Sequence, residues 1–363
     1  MHSTDRYFGN LLTEWLEVRK VRRFGWTISS FMAGCLLTGC SALPGMDGKA
    51  SPTASIPGTL HASSAPTPAR AVSDQEAASI LADYVKRNNV ANKARSDTLL
   101  ASYEGGSSLT IDKADYASSR ILYKTIRYRP FGYVRPVFRA SAAGQRPLLL
   151  VTAQMHYKTT TEKEPTYLLF VREANGWRQM YAPDVFGGTT SKELPAIAVD
   201  ASGVASEVGP TDRTSLLMSP ADFAKKYAAH LAGKGTAAAK SLFATDSITT
   251  QDAVTRQRTK HFARSTSTAR PATRYPSYTM RTTDGGALTF TTIERTTRYD
   301  VRPTQERGYV SHKDSGFLRG RYYTYMKVTE LFQVAAHIPP KNAEPGQVKV
   351  LAAYSGVIAG SGR

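Results

Sequence analysis

Cysteine is almost absent from this chain of 363 residues, which contains only Cys35 and Cys40. Both lie near the amino terminus, and cleavage before Cys40 would leave that single thiol in the mature protein. No disulfide can then form, so the folded part depends on buried apolar side chains for its stability. The residues that follow position 72 are numerous enough for two ordinary domains.

Several catalytic and cofactor signatures are also absent. The chain has no Gly-x-Ser-x-Gly motif, no P-loop and no dinucleotide-binding glycine motif. Among its seven histidines, no two lie within five residues of each other. This spacing excludes the common local zinc motifs, and we predict neither a metal nor a cofactor.

A basic and then apolar leader opens the chain. Residues 19–23 carry four cations, and residues 24–37 form an uncharged run with the length of a signal peptide rather than of a membrane span. The stretch Leu37-Thr38-Gly39-Cys40 follows and resembles a bacterial lipobox. We therefore predict a lipoprotein signal peptide over residues 1–39, with lipid attachment at Cys40 on the extracytoplasmic face of the cell membrane.

Two features of the leader leave alternatives open. Met32-Ala33-Gly34-Cys35 is a second lipobox-like frame, although its apolar run is shorter. Arg22-Arg23 permits export by the twin-arginine route as well as the general secretory route. Residues 40–72 are rich in Ser, Ala and Pro without apolar periodicity, which predicts a disordered tether.

The remaining sequence shows the same pattern twice. Ser73-Asp74-Gln75-Glu76 predicts a capped helix, and alternating strand patterns begin near residue 131, with a hairpin turn at Asn175-Gly176. Ser219-Pro220 begins the next helix, and strands follow again, including Ala287 to Val301. We predict two tandem α+β domains, at 73–210 and 211–363, each with helices before an antiparallel sheet.

Long strands curving around a helix are typical of NTF2-like or cystatin-like rolls, although two small barrels or sandwiches fit the same pattern. A likeness to known proteins rests on Tyr84 to Asn92, Glu104-Gly105-Gly106, Asn175-Gly176-Trp177 and Leu194-Pro195-Ala196. With these motifs, the chain resembles uncharacterised secreted lipoproteins of actinobacteria. The resemblance implies a lipid anchor, a tether and a folded remainder of this size, and it implies no catalytic residue.

The chain is strongly basic, with 47 Lys and Arg against 29 Asp and Glu and a net charge of +18. Two windows, between Asp115 and Glu162 and between Asp252 and Asp284, contain cations and aromatic residues but no acid. This mixture suits stacking on sugars and contacts to phosphate, although it also suits plain solubility. The candidate polyanion-binding residues are Arg127, Arg129, Arg135, Arg139, Arg256, Arg258, Lys260 and Arg264.

Two carboxylates interrupt apolar strand patterns in the second half. Glu294 lies by strand parity on the face of Leu288 and Phe290, and Glu330 lies on the face of Met326 and Val328. A carboxylate on an apolar face can serve as a general acid or base. The competing interpretation is a cross-strand ion pair with Arg295, Arg298 or Arg321.

These observations predict a membrane-anchored binding module rather than an enzyme. Its expected partners are the membrane, through the lipid, and anionic envelope polymers or another envelope protein. Nucleic acid is not expected at this location. The alternatives are an enzyme with a cone-shaped pocket in the second half and a substrate-binding lipoprotein that feeds a transporter.

Overall fold

A computed structural model describes residues 69–123, 128–144, 146–304, 308–312, 315–344 and 346–363. Along the chain, the helices and strands of these residues form two groups, and in each group the helices precede the strands. The helices are α1 (Asp74–Ala94), α2 (Asp97–Leu100), α3 (Gly106–Leu122), α4 (Pro220–Leu231), α5 (Ala237–Lys240) and α6 (Ser247–Thr259). The strands are β1 (Phe131–Ala140), β2 (Leu148–Tyr157), β3 (Thr160–Glu173), β4 (Gly176–Tyr181), β5 (Asp184–Val185), β6 (Ala263–Pro271), β7 (Tyr278–Arg281), β8 (Ala287–Val301), β9 (Tyr325–Ile338) and β10 (Lys349–Gly362).

All ten strands belong to one antiparallel sheet, so the prediction of two tandem helix-then-sheet domains is wrong. The strand order is β1-β2-β3-β5-β10-β9-β8-β6, with β4 also on β3 and β7 also on β8. The two-residue strand β5 joins the halves, because it pairs with Thr166 of β3 on one side and with Ala352 and Ala353 of β10 on the other. A strand this short gives almost no apolar pattern to read.

The sheet is folded over rather than flat. Strands β3 and β8 stand four positions apart in the strand order, which corresponds to roughly 19 Å in a flat sheet. The rings of Tyr167 on β3 and Phe290 on β8 nevertheless lie 5.7 Å apart and meet edge to face. Leu150 and Leu169 of the first half therefore share one buried cluster with Leu288 of the second.

Helices cover the remaining sheet surfaces. Helix α1 begins at the capping box formed by Ser73 and Glu76, in which the Glu76 amide donates to Ser73 Oγ over 3.2 Å. It packs on the outer face of the first half. Helix α4 begins at Ser219, and its buried face, Phe223, Tyr227 and Leu231, covers the outer face of the second half.

Helix α3 locks the halves together. Although it belongs to the first half, it packs on β9 and β10 of the second. Ile111 lies in a cluster with Leu331, and an added Cβ at Gly356 would lie 2.8 Å from Ile111 Cγ2. Tyr275 Oη donates to Thr110 Oγ1 over 2.9 Å, and the Gly316 amide donates to Ser118 Oγ over 2.7 Å. These contacts cross between regions that the sequence analysis assigned to separate domains.

Gln333 of β9 is the centre of this junction. Its side chain is fully buried, and Nε2 lies 2.9 Å from each of three acceptors, Ser107 Oγ, Ser108 Oγ and the Met180 carbonyl. Its Oε1 accepts from the Ala182 amide over 2.9 Å. One amide thus satisfies polar groups from α3, from β4 and from the segment after β4, where water has no access.

We expect Gln333→Ala to lower the free energy of unfolding by about 2 to 4 kcal/mol, because it removes the partner of several buried polar groups and leaves a cavity. Urea denaturation at neutral pH measures the loss. Gln257→Ala, at an exposed position on α6, is the matched control and should change stability by less than about 0.5 kcal/mol. A loss of similar size in both variants would contradict the central role of Gln333.

Candidate functional site

The larger candidate site is a groove on the outer face of the second half. It lies between helix α6, strands β6, β8 and β9, and residues 310–312, and its cavity has a volume of about 90 Å³. Arg295 and Glu330 line the groove from neighbouring strands, where they stand directly opposite each other. Because α6 carries Asp252 and Arg256 into the groove, this helix determines much of the chemistry of the site.

A buried ion triad forms one wall. Arg295 contacts Asp252 through Nη1 and Glu330 through Nη2, the latter at 2.9 Å, and its guanidinium lies 4.5 Å from the centre of the Phe332 ring. Burial disfavours the charged guanidinium, but the two carboxylates outweigh this effect and raise the pKa of Arg295 above its ordinary value. The triad therefore holds two carboxylates at fixed positions in the groove.

The rest of the lining is rich in hydroxyl groups and aromatic rings. Phe262 and Tyr299 contribute the rings, and Arg256 adds an exposed cation. The Oγ atoms of Ser267 and Thr297 lie 3.0 Å apart and pair across β6 and β8. The six hydroxyl residues in the lining are Thr255, Thr259, Ser265, Ser267, Thr297 and Ser311.

We expect Arg295→Met to lower the free energy of unfolding by about 3 to 5 kcal/mol, because it removes the counter-charge of two buried carboxylates. Chemical denaturation at neutral pH measures the loss. Arg270→Met removes an exposed arginine that also forms an ion pair, and it should cost less than about 1 kcal/mol. A loss of similar size in both variants would show that burial of the Arg295 ion pairs is not the cause.

Of the four candidate cations in the second basic window, only Arg256 lines the groove. Arg256 lines it, while Arg258 and Lys260 are exposed at the carboxyl end of α6. Arg264 is exposed on β6 beside Ser265. Because neighbouring side chains on a strand point to opposite faces, Arg264 lies on the face away from the groove. Within the described part of the chain, no carboxylate lies within ion-pair distance of these four cations.

The first basic window lies at the opposite end of the strand order, on the edge strand β1. Arg135 has a positive φ of 53° at a bulge between Val134 and Val137, and it donates to Gln154 Oε1 over 3.1 Å. Arg139 donates to the carbonyl of Phe138, and the Arg129 guanidinium lies 5.3 Å from the centre of the Tyr157 ring. Arg127 lies outside the described residues. Charged residues, Pro136 and a bulge also protect an edge strand from pairing with another chain.

The two predicted acid/base candidates lie on opposite faces of the sheet. Glu294 pairs across β8 and β9 with Leu331, whereas Glu330 pairs with Arg295. Glu294 accepts from Arg270 at 2.7 Å and Arg274 at 2.9 Å. Partial burial alone would raise the pKa of Glu294, but these bonds outweigh it and hold the pKa below its ordinary value. Both candidates are therefore members of ion pairs, as in the competing interpretation, although only Glu330 pairs with Arg295.

A second pocket, which the sequence analysis did not find, lies between the first half and Tyr354 of β10. Its cavity has a volume of about 50 Å³, and its lining contains the buried carboxylates Glu104, Asp112 and Asp184 but no Lys, Arg or His. Asp112 accepts from Tyr354, and Asp184 accepts from Thr166 over 2.7 Å. The pocket favours cations rather than anions. Among the described residues, no three His, Cys, Asp or Glu side chains have the arrangement of a metal site.

Asp246 determines where helix α6 begins. Its Oδ1 accepts from the Thr249 amide over 2.9 Å, although only 5% of the residue is exposed. Burial raises the pKa of Asp246 above its ordinary value, despite hydrogen bonds that lower it. The same burial, together with Asp246 itself, raises the pKa of Tyr227 beneath the helix. Helix α6, which carries Asp252 and Arg256, thus begins at Asp246, and burial disfavours the charged form of this carboxylate.

The raised pKa of Asp246 gives a pH dependence with a defined sign. The folded state binds the proton of Asp246 more tightly than the unfolded state does. Asp246 therefore destabilises the fold as the pH rises above the ordinary aspartate pKa, which is about 3.9. Asp246→Asn keeps a capping side chain without the charge. We expect its stability relative to the natural protein to increase from about pH 3 to pH 7, as measured by chemical denaturation.

A control separates the cap from the charge. Asp246→Ala removes both and should cost about 1 kcal/mol for the lost cap. If the free energy of unfolding of Asp246→Asn differed from that of the natural protein by the same amount at every pH, this would contradict the raised pKa of Asp246.

Comparisons with known proteins identify one family. Residues 68–362 match a family described as a domain of unknown function, DUF8094. The match covers most of the chain, so the protein belongs to this family. No curated protein and no solved structure matches the chain. The resemblance to a lipoprotein family with tandem NTF2-like domains gains no support from these comparisons.

The predicted leader and most of the predicted tether lie outside the described residues, as does Cys40. In the part of the chain that the structure describes, no helix combines the length and apolar character needed to cross a bilayer.

Proposed function

We propose that this protein is a lipid-anchored extracytoplasmic binding module that holds anionic polymers of the bacterial envelope in the groove of its second half. The lipobox at Cys40 supports the location, and the composition of the groove supports the ligand. The main observation is that one groove combines Arg256, two aromatic residues and six hydroxyl residues. Another envelope protein is the alternative partner at the same location.

The charge around the groove favours an anion. Within the lining, Arg295 offsets one of the two charges of Asp252 and Glu330, and Arg256 supplies the second positive charge. Arg258 and Lys260, the chain neighbours of the lining residue Thr259, are exposed and add two positive charges to this end of α6. A cationic surface of this kind attracts polyanions at long range and binds them less tightly as salt rises.

The uncharged part of the lining favours a ligand with sugar units. Phe262 and Tyr299 offer apolar ring surfaces, while serine and threonine hydroxyls both donate and accept hydrogen bonds. A sugar also has an apolar C–H face and a hydroxylated rim, so it complements both features. Phosphate or carboxylate groups along the polymer would complement Arg256.

A catalytic role is the second candidate, because Glu330 and Asp252 both line the groove. Their shared partner, Arg295, holds both as charged acceptors, which suits binding of hydroxyl groups better than proton donation. Glu294 lies on the other face of the sheet and is not part of this candidate. Hydrolysis of a bound polymer by the natural protein, lost in Glu330→Gln, would favour the enzyme.

Binding of the full chain to a purified teichoic-acid-type polymer across a salt series tests the proposal. We expect log K to fall with log salt, and we expect the triple variant Arg256→Gln, Arg258→Gln, Lys260→Gln to bind about tenfold more weakly. Three ionic contacts of about 0.5 kcal/mol each correspond to that factor. Binding measured by calorimetry at several salt concentrations gives both quantities.

A matched control removes three exposed lysines elsewhere, with Lys86→Gln, Lys93→Gln and Lys163→Gln. It lowers the net charge equally and should keep most of the affinity. Equal losses of affinity in the two triple variants would show that binding depends on the net charge of the protein and not on the cations near the groove. The absence of binding by the natural protein at low salt would overturn the proposed function.

A further inference from the structure

Strands β6, β8 and β9 also present an exposed face on the side of the sheet away from the groove. In their register, Thr266 pairs with Arg298, and Arg298 pairs with Lys327. Residues that stand directly opposite each other on neighbouring strands share a face. The alternate residues of the same strands, such as Ser265 and Ser267, line the groove instead. Thr266, Arg298 and Lys327 therefore point away from the groove, and all three are exposed.

Short hydroxyl side chains occupy much of this face. Thr268, Thr296 and Thr329 form one row across the three strands, and the Oγ1 atoms of Thr296 and Thr329 lie 3.1 Å apart. Because threonine is short, the row leaves a broad surface rather than a cleft between the cations. We call this surface the threonine face, and it consists of Arg264, Thr266, Thr268 and Arg270 of β6, Glu294, Thr296, Arg298 and Asp300 of β8, and Lys327 and Thr329 of β9.

Positive charge exceeds negative charge on the threonine face. The face carries four cations and two acids, and both acids form ion pairs with arginines of the same face. Arg264 and Lys327 are exposed. Among the residues that the structure describes, no carboxylate lies within ion-pair distance of either. Their charges are therefore available to an anionic partner.

We propose that the threonine face docks on the anionic headgroups of the membrane that the lipid anchor reaches. Arginine and lysine form charge-assisted hydrogen bonds with phosphate, and threonine hydroxyls donate further hydrogen bonds. A groove encloses a single polymer chain best, whereas a bilayer offers many headgroups side by side to a broad face. The groove then lies on the side of the sheet away from the membrane. This inference takes only the location from the proposed function and does not depend on what the groove binds.

Binding of the full chain to lipid vesicles tests the inference. The protein is made in a membrane-free translation extract, so that no acyl chain is attached. The vesicles contain phosphatidylcholine alone or equal parts of phosphatidylcholine and phosphatidylglycerol. We expect tighter binding to the anionic vesicles, with a preference that falls as salt rises. The face variant Arg264→Gln with Lys327→Gln should bind the anionic vesicles about thirtyfold more weakly, which corresponds to about 1 kcal/mol for each cation.

A matched control, Lys86→Gln with Lys93→Gln, removes two exposed cations from α1. It lowers the net charge equally and should keep most of the affinity for anionic vesicles. Thr268→Glu is a second face variant, which keeps both cations but adds a negative charge at an exposed position. It should weaken binding to the anionic vesicles about fivefold. Thermal unfolding near the natural temperature would show that each variant folds.

The other outcomes would overturn the inference. Equal binding of neutral and anionic vesicles by the natural protein would exclude docking on anionic headgroups. Equal losses in the face variant and the control would show that net charge, not the threonine face, determines binding.

A teichoic-acid-type polymer separates this inference from the proposed function. The face variant should bind the polymer like the natural protein. The triple variant Arg256→Gln, Arg258→Gln, Lys260→Gln should keep most of its binding to anionic vesicles. Equal losses of polymer binding and vesicle binding in the face variant would show that the threonine face holds the polymer, which overturns docking on lipid.

Discussion

The need to satisfy the polar atoms around Gln333 is the constraint on which the rest of this structure depends. Its amide lies where the start of α3, the end of β4 and the middle of β9 meet, and all of these groups are buried. These hydrogen bonds form only when the halves are packed together, because Gln333 belongs to the second half and its partners Ser107, Met180 and Ala182 belong to the first. The two halves of the chain therefore behave as one folded unit.

The groove depends on a similar constraint, because a buried charge needs partners just as buried polar atoms do. Arg295 is buried on β8, and it is tolerated there because Glu330 on β9 and Asp252 on α6 surround it. These pairs hold α6 against the sheet, and Asp246 determines where that helix begins. The position of Arg256 at the groove, and so the positive charge that the groove presents, depends on this arrangement.

Local signals in the sequence predicted several elements well. The capping box at Ser73, the helix start at Ser219 and strand β8 at Ala287–Val301 were all correct, because short-range hydrogen bonds and strand alternation determine them. Helix α3 was missed. It starts at Gly106, and its buried residues include serines that contact a polar glutamine instead of an apolar core. Apolar periodicity cannot reveal such a face.

The sequence by itself determined the caps, most of the strands, the basic windows and the absence of disulfides in the part that follows Cys40. Only the tertiary structure decided that the strands form one sheet, that Glu294 and Glu330 face opposite ways in different ion pairs, and that Arg256 reaches the groove while Arg264 does not. The physical reason is the range of the interactions. Caps and strand alternation depend on residues a few positions apart, whereas the pairing of β5 with β10 joins residues far apart in the chain that no local pattern connects.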